Sequence, residues 1–97
     1  METLERNWSE WINFDADTIS KVPQTPGVFR MHASMKILYI GNSENLQIEL
    51  KKTLENLCIA ESSRFCYLES ANHAQLKDEI LKEYTEKHDG KLPKCMQ

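Results

Sequence analysis

Two short triplets, separated by nine residues, could place aromatic rings opposite one another. They read Gly27-Val28-Phe29 and Tyr39-Ile40-Gly41. Each triplet belongs to a run typical of a β-strand, and the stretch 32–35 between them offers a tight polar reversal. A hairpin of this kind brings Phe29 and Tyr39 onto neighbouring strands. The phenol of Tyr39 is a hydrogen-bonding group that can also act as an acid or base.

The elements that must position this hairpin follow from the apolar periodicity of the rest of the chain. We expect strands over 27–31, 36–41 and 64–69, and helices over 4–14, 44–56 and 73–88. Ser43 and Asn72 are the expected caps of the second and third helices, and Gly90 is expected to end the third. The order (α)-β-β-α-β-α predicts the α/β (α+β) class, with a small three-stranded antiparallel sheet flanked by helices. We expect a single domain over 1–97, with a helical preface over 1–22 and a core over 23–97.

Composition limits the classes of partner. Twelve basic residues are outnumbered by fifteen acidic ones, and the net charge is −3. Proteins that bind nucleic acid gain much of their affinity from Lys and Arg, and no segment of this sequence displays a basic run. This balance favours a protein partner over bare DNA, although nucleic acid stays open as a partner. No apolar run approaches the ~20 residues that span a bilayer, so we expect a cytoplasmic protein with no membrane partner.

The three cysteines, Cys58, Cys66 and Cys95, show no Cys-x-x-Cys spacing. An odd number of cysteines in a cytoplasmic chain argues against a disulfide framework. Metal ligation would need histidines at a recognisable spacing, which the sequence does not offer. We therefore interpret Cys58 and Cys66 as small buried side chains.

Trp8 and Trp11 lie at helical spacing in the expected first helix. Paired tryptophans invite a functional interpretation, such as base stacking or an aromatic cage. We favour packing onto the core, and the sequence does not assign these residues a further role. If their face were exposed, the chain could instead be a self-associating structural domain.

The hairpin resembles the signature of the GIY-YIG nuclease superfamily. The resemblance extends over the segments 26–31, 37–42 and 45–46 and covers about Pro23 to Gln97, in the element order of that superfamily's core. It implies a phosphodiesterase site in which a hairpin tyrosine helps to activate water. An arginine would contact the phosphate, and a glutamate would hold one divalent metal ion.

Carried over by position, the resemblance makes Tyr39 the catalytic tyrosine, while Phe29 keeps a ring but lacks the second hydroxyl. Asn42 and Glu49 stand where the superfamily commonly has a basic residue and the arginine. A carboxylate facing a phosphate at ~4 Å costs about 1 kcal/mol in water and about 4 kcal/mol at an effective dielectric constant near 20.

Two further positions depart from the superfamily pattern. Lys77 occupies the position of the metal-binding glutamate, and an ammonium group has no lone pair to offer a cation. Glu79 is the fallback ligand, although a shift of two residues turns a side chain by ~200° around a helix. Met96 stands where an asparagine is common.

The sequence therefore predicts a GIY-YIG-like domain with an impaired nuclease site and no cofactor, acting as a binding module, with a nucleic-acid setting left open. The alternative is an active endonuclease that uses Mg²⁺ or Mn²⁺ with Tyr39 and Glu79.

Overall fold

The computed structural model describes residues 8–33 and 36–96. Four strands form one antiparallel sheet: β1 (Ile12–Asn13), β2 (Gly27–Ala33), β3 (Lys36–Ser43) and β4 (Arg64–Glu69). The helices are α1 (Ala16–Ile19), α2 (Leu46–Thr53) and α3 (His73–Lys87). Short 3₁₀ turns occur at Ile59–Glu61 and Lys94–Met96. Among the described helices, none has the length and apolar character needed to cross a bilayer.

The sheet has the strand order β1-β4-β2-β3, so β2 and β4 are central. The α+β class and the β2–β3 hairpin are confirmed, but the expected number of strands is wrong because β1 adds a fourth. Ser34 and Met35 of the expected reversal lie outside the described residues.

The N-terminal segment differs from the expected helix over 4–14. Residues 1–7 lie outside the described part, but residues 8–14 contain strand β1 and no helix. The Ser9 amide donates to the Tyr67 carbonyl at 2.9 Å, and the Phe14 amide donates to the Ser63 carbonyl at 3.1 Å. Pairing with the edge of β4 satisfies these backbone groups and outweighs the helical spacing of the apolar residues.

The two faces of the sheet carry separate hydrophobic clusters. Phe29, Met31 and Phe65 pack with side chains of α1 and α2 on one face. Val28 and Ile40 pack with Ile80 of α3 on the other face. The sheet is therefore a middle layer, and any site built on it faces either α2 or α3.

The caps explain where the later helices begin and end. Asn45, rather than the expected Ser43, caps α2, because its side chain accepts from the Ile48 amide at 3.1 Å. Asn72 precedes α3 as expected, although its side chain makes no capping hydrogen bond within the described residues. Gly90 has φ +80° and donates to the Thr85 carbonyl at 2.7 Å, which ends the last helical turn.

Candidate functional site

The hairpin aromatics meet on the face of the sheet that α2 covers. The ring centroids of Phe29 and Tyr39 lie 5.9 Å apart, so the sequence-based expectation of neighbouring rings is confirmed. Phe29 is buried opposite Gly41 in the strand register. A Cβ added to Gly41 would lie 2.5 Å from the Phe29 Cζ and 2.7 Å from the Tyr39 Cε2. Position 41 thus requires a glycine, because the two rings leave no space for a side chain.

Position 27 requires a glycine for a different structural reason. A Cβ added there would lie 2.8 Å from the Leu46 Cδ1 and 3.1 Å from the Glu69 Cα, and it would also collide with the Leu68 carbonyl. The glycine lets β2 pass closely between β4 and the start of α2. Both motif glycines therefore have structural roles that do not depend on catalysis.

The environment of Tyr39 disfavours the loss of its phenol proton. Burial raises the pKa of the Tyr39 phenol, and the negative charge of Glu49 in the first turn of α2 raises that pKa further. A catalytic base needs an accessible deprotonated form, which a nearby cation would favour. Burial and the charge of Glu49 therefore both disfavour the deprotonated form of the Tyr39 phenol.

Asn42 reaches the other layer of the molecule. Its side-chain nitrogen lies 2.8 Å from the Nδ1 of His73, the first residue of α3. This contact connects β3 to the start of α3. Sequence reasoning missed His73, for which the beginning of a predicted helix was the only available signal.

The predicted metal-binding positions lie on α3. Lys77 is half-buried one turn after His73. Glu79 is exposed; it accepts from the Gln75 Nε2 at 3.5 Å and lines a cavity of about 210 Å³ with Ser70 at the start of α3. Tyr39 packs instead within the cluster on the α2 face. The role of Glu79 in catalysis stays a prediction.

The residues at the predicted positions do not suit a divalent cation. Mg²⁺ and Mn²⁺ require several oxygen ligands, whereas this set offers the Glu49 carboxylate on α2, the Glu79 carboxylate on α3, the Tyr39 phenol and the Lys77 ammonium. Across 8–33 and 36–96, no three His, Cys, Asp or Glu side chains come together as a possible metal group. We therefore derive no catalytic step through a metal ion.

Met96 covers the edge of β3. Its sulfur lies 3.5 Å from the backbone nitrogen of Ile40, and its side chain packs against the cluster on the α3 face. A thioether is a weak acceptor and an apolar filler, unlike the asparagine side chain that the resemblance implies. At this position the chain presents a hydrophobic contact.

The two tryptophan rings contact the guanidinium group of an arginine. The Cζ of Arg30 lies 3.9 Å from the ring centroid of Trp8 and 5.1 Å from that of Trp11. Trp8 also packs against the α3-side cluster, so its expected packing role is confirmed, whereas Trp11 is 37% exposed and contacts His32 with a centroid distance of 4.8 Å. Both tryptophan rings are thus occupied by contacts to side chains of β2.

The interpretation of the cysteines is wrong in one respect. Cys58 and Cys95 form a disulfide, with Cα atoms 5.8 Å apart, and Cys58 is half-buried. Cys66 is a free, buried thiol as expected. Burial raises its pKa, and the hydrogen bond that the Arg30 Nε donates to its sulfur at 3.4 Å offsets only part of this effect. A protonated, enclosed thiol is a poor nucleophile.

Comparisons with solved structures identify the arrangement of strands and helices. The chain is similar to the GIY-YIG N-terminal endonuclease domain of UvrC from Thermotoga maritima bound to magnesium, with a TM-score of 0.65 and 22% identity over 81% of this chain and 91% of that chain. A point mutant of the same domain, bound to the catalytic divalent cation, gives a TM-score of 0.64 and 23% identity over 81% and 90% of the two chains. No protein-family model matches the sequence, and no curated protein matches it. At this identity the comparisons establish a shared fold.

Proposed function

We propose that this chain, which has the GIY-YIG fold, is a binding domain that does not cleave nucleic acid. The observation that carries the proposal is the environment of Tyr39, which is packed in the cluster on the α2 face and lies within the electrostatic influence of Glu49. Burial and a neighbouring carboxylate both raise the pKa of the phenol that would have to act as the base. The same carboxylate would repel an incoming phosphate.

The chemistry at the metal position supports the proposal independently. The solved UvrC domains hold a catalytic divalent cation. In this chain the resemblance places Lys77 at the metal-binding position, and a lysine ammonium repels a cation. Close packing around Gly27 and Gly41 explains why these positions are glycine, so both residues support the fold without any catalytic role.

Cleavage assays test this function directly. Purified protein incubated with supercoiled plasmid and with branched DNA, in Mg²⁺ or Mn²⁺, is expected to leave both substrates intact. Titration calorimetry is expected to give no heat of Mn²⁺ binding. Metal-dependent nicking that is lost in Tyr39→Phe would overturn the proposal and establish the endonuclease alternative.

A matched variant makes a negative result informative. Glu49→Arg/Lys77→Glu exchanges the two charges that oppose phosphate and metal binding, and it leaves the net charge of the chain unchanged. Gain of Mn²⁺ binding or nicking in this variant alone would show that the charge pattern is what keeps the wild type inactive. A reference GIY-YIG nuclease in parallel reactions confirms that the substrates are competent.

A further inference from the structure

A second surface lies away from the hairpin site, where the start of β3 meets the end of α3 and the segment that follows it. A groove of about 700 Å³ opens there, and we call it the lysine groove. Its basic lining residues are Lys36, Lys87, Lys91 and Lys94. Its volume falls within the range of roughly 300–1,000 Å³ that is common for binding sites.

The groove is separate from the candidate nuclease site. Lys36 and Asn42 are six residues apart along β3, which is roughly 20 Å of strand. Lys77 and Lys87 are ten residues apart along α3, which is roughly 15 Å of helix. Substitutions in the groove therefore leave the hairpin site untouched.

The turn after α3 assembles the basic side chains. Asp89 and Gly90 both have positive φ, at 56° and 80°, and this turn reverses the chain beyond α3. The reversal brings Lys91 to the same groove as Lys87 and Lys36. Lys36 comes from a distant segment, and Lys87, Lys91 and Lys94 are spaced three or four residues apart, so the sequence shows no continuous basic run.

The charge of the groove is opposite to that of the chain. Four lysines and Asp89 line it, which gives a local charge of +3 when His88 is neutral, against −3 for the whole chain. The charge of Lys94 is partly offset by an ion pair, because its Nζ lies 3.4 Å from the Glu61 carboxylate. A concentrated positive patch on an acidic protein selects for an anionic partner.

The apolar lining of the groove favours a polypeptide over a nucleic acid. Ile37, Leu92 and Tyr84 contribute apolar surface to the same groove as the lysines. The Tyr84 ring is stacked on the His88 ring, with centroids 3.8 Å apart and planes 11° apart, so one face of each ring is already covered. Single-stranded nucleic acids bind to aromatic faces that are open for stacking. Aliphatic side chains between carboxylates would contact the apolar lining residues while the carboxylates pair with the lysines.

We propose that the lysine groove binds an acidic polypeptide segment of a partner protein, with apolar side chains interspersed among its carboxylates. The apolar side chains lie on Ile37 and Tyr84 while the carboxylates pair with Lys36, Lys87 and Lys91. This inference names the partner class for the binding role proposed above, and so it rests on that role.

Fluorescence anisotropy with defined probes tests the proposal. The probe is a short fluorescein-labelled peptide of glutamate and leucine. Matched probes replace leucine with serine or glutamate with lysine, and labelled oligothymidine represents nucleic acid. We expect the glutamate–leucine peptide to bind most tightly, and Lys36→Ala/Lys91→Ala to weaken it about tenfold or more. The control Lys51→Ala/Lys52→Ala removes the same charge from α2 and is expected to leave binding within about twofold of wild type.

Each contrary outcome overturns the proposal. Absence of glutamate–leucine binding at low salt would do so, as would equal losses in the two double variants, which would indicate non-specific charge attraction. Tighter binding of oligothymidine that depends on Lys36 and Lys91 would assign the groove to nucleic acid. DNA nicking would instead refute the non-cleaving role while leaving the groove measurements intact, because no variant here alters Tyr39, Glu49 or Lys77.

Discussion

At the scale of single residues, the proposed lack of cleavage depends on Tyr39 and Glu49. The sequence indicates both residues through the resemblance that the hairpin carries. The effect of Glu49 on the Tyr39 pKa needed the structure, because it depends on how α2 packs against the sheet. His73 could not be predicted as the partner of Asn42, since these residues lie 31 positions apart in the chain.

The raised pKa of Tyr39 gives a titration prediction. Glu49→Gln removes a negative charge and is expected to lower the Tyr39 pKa, as followed by NMR of tyrosine ring carbons; Glu55→Gln is the control. Since the folded-state pKa is raised, the neutral phenol stabilises the fold below the unfolded-state value of about 10, and this contribution is lost as pH rises through the folded-state pKa. Alkaline unfolding should therefore be less steep in Tyr39→Phe. An unchanged Tyr39 titration in Glu49→Gln would show that the two groups do not interact.

Gly41 gives a packing prediction. Gly41→Ala places a methyl group against the Phe29 and Tyr39 rings, and it is expected to lower the free energy of unfolding by about 1–3 kcal/mol in urea. Adding Phe29→Leu replaces one of the two rings with a shorter aliphatic side chain. Gly41→Ala should therefore lower the free energy of unfolding by less in that background than in the wild type. Equal costs in both backgrounds would show that the ring contact is not the cause.

At the scale of elements, the later part of the chain could be predicted from the sequence and the N-terminal part could not. The third expected strand coincides with β4, and α3 ends one residue earlier than expected. The segment around Trp8 and Trp11 has helical spacing, yet its backbone bonds to β4 and its rings pack on Arg30. These contacts form only in the folded sheet, so local periodicity could not reveal them.

Arg30 is the contact that links this segment to the sheet. Arg30→Gln is expected to lower the free energy of unfolding by about 1–2 kcal/mol, because it removes a cation from two tryptophan rings. The change should also alter tryptophan emission, since Trp8 and Trp11 are the only tryptophans in the chain. Arg64→Gln removes the same charge from an exposed position on β4 and should leave both readouts near wild type. Equal changes in stability and emission for the two substitutions would show that the contact between Arg30 and the tryptophan rings is not their cause.

At the scale of the whole molecule, one covalent bond joins distant parts of the chain. Cys58 follows α2, and Cys95 lies in the last 3₁₀ turn, 37 positions later. Neither the odd cysteine count nor the spacing indicated this pair. The cytoplasmic location expected from the sequence stays a prediction, and in that compartment the bond would meet reducing conditions.

Removal of the disulfide should lower the stability of the whole fold. Cys58→Ser/Cys95→Ser is expected to reduce the free energy of unfolding by about 2–4 kcal/mol, because the unfolded chain regains the freedom of the closed loop. Dithiothreitol should destabilise the wild type by a similar amount and leave the double variant unchanged. A wild type that is insensitive to dithiothreitol would contradict the pairing.

The contact between Met96 and Ile40 also bears on how molecules of this protein behave when crowded together. Strand β3 is an outer strand, and an open backbone edge can recruit a strand from another chain and begin an intermolecular sheet. Among the described residues, the Met96 sulfur lies against the Ile40 amide of β3, and β1 is two residues long at the opposite edge. Substitution of Met96 would uncover this amide and so extend the open backbone on which an intermolecular sheet could begin.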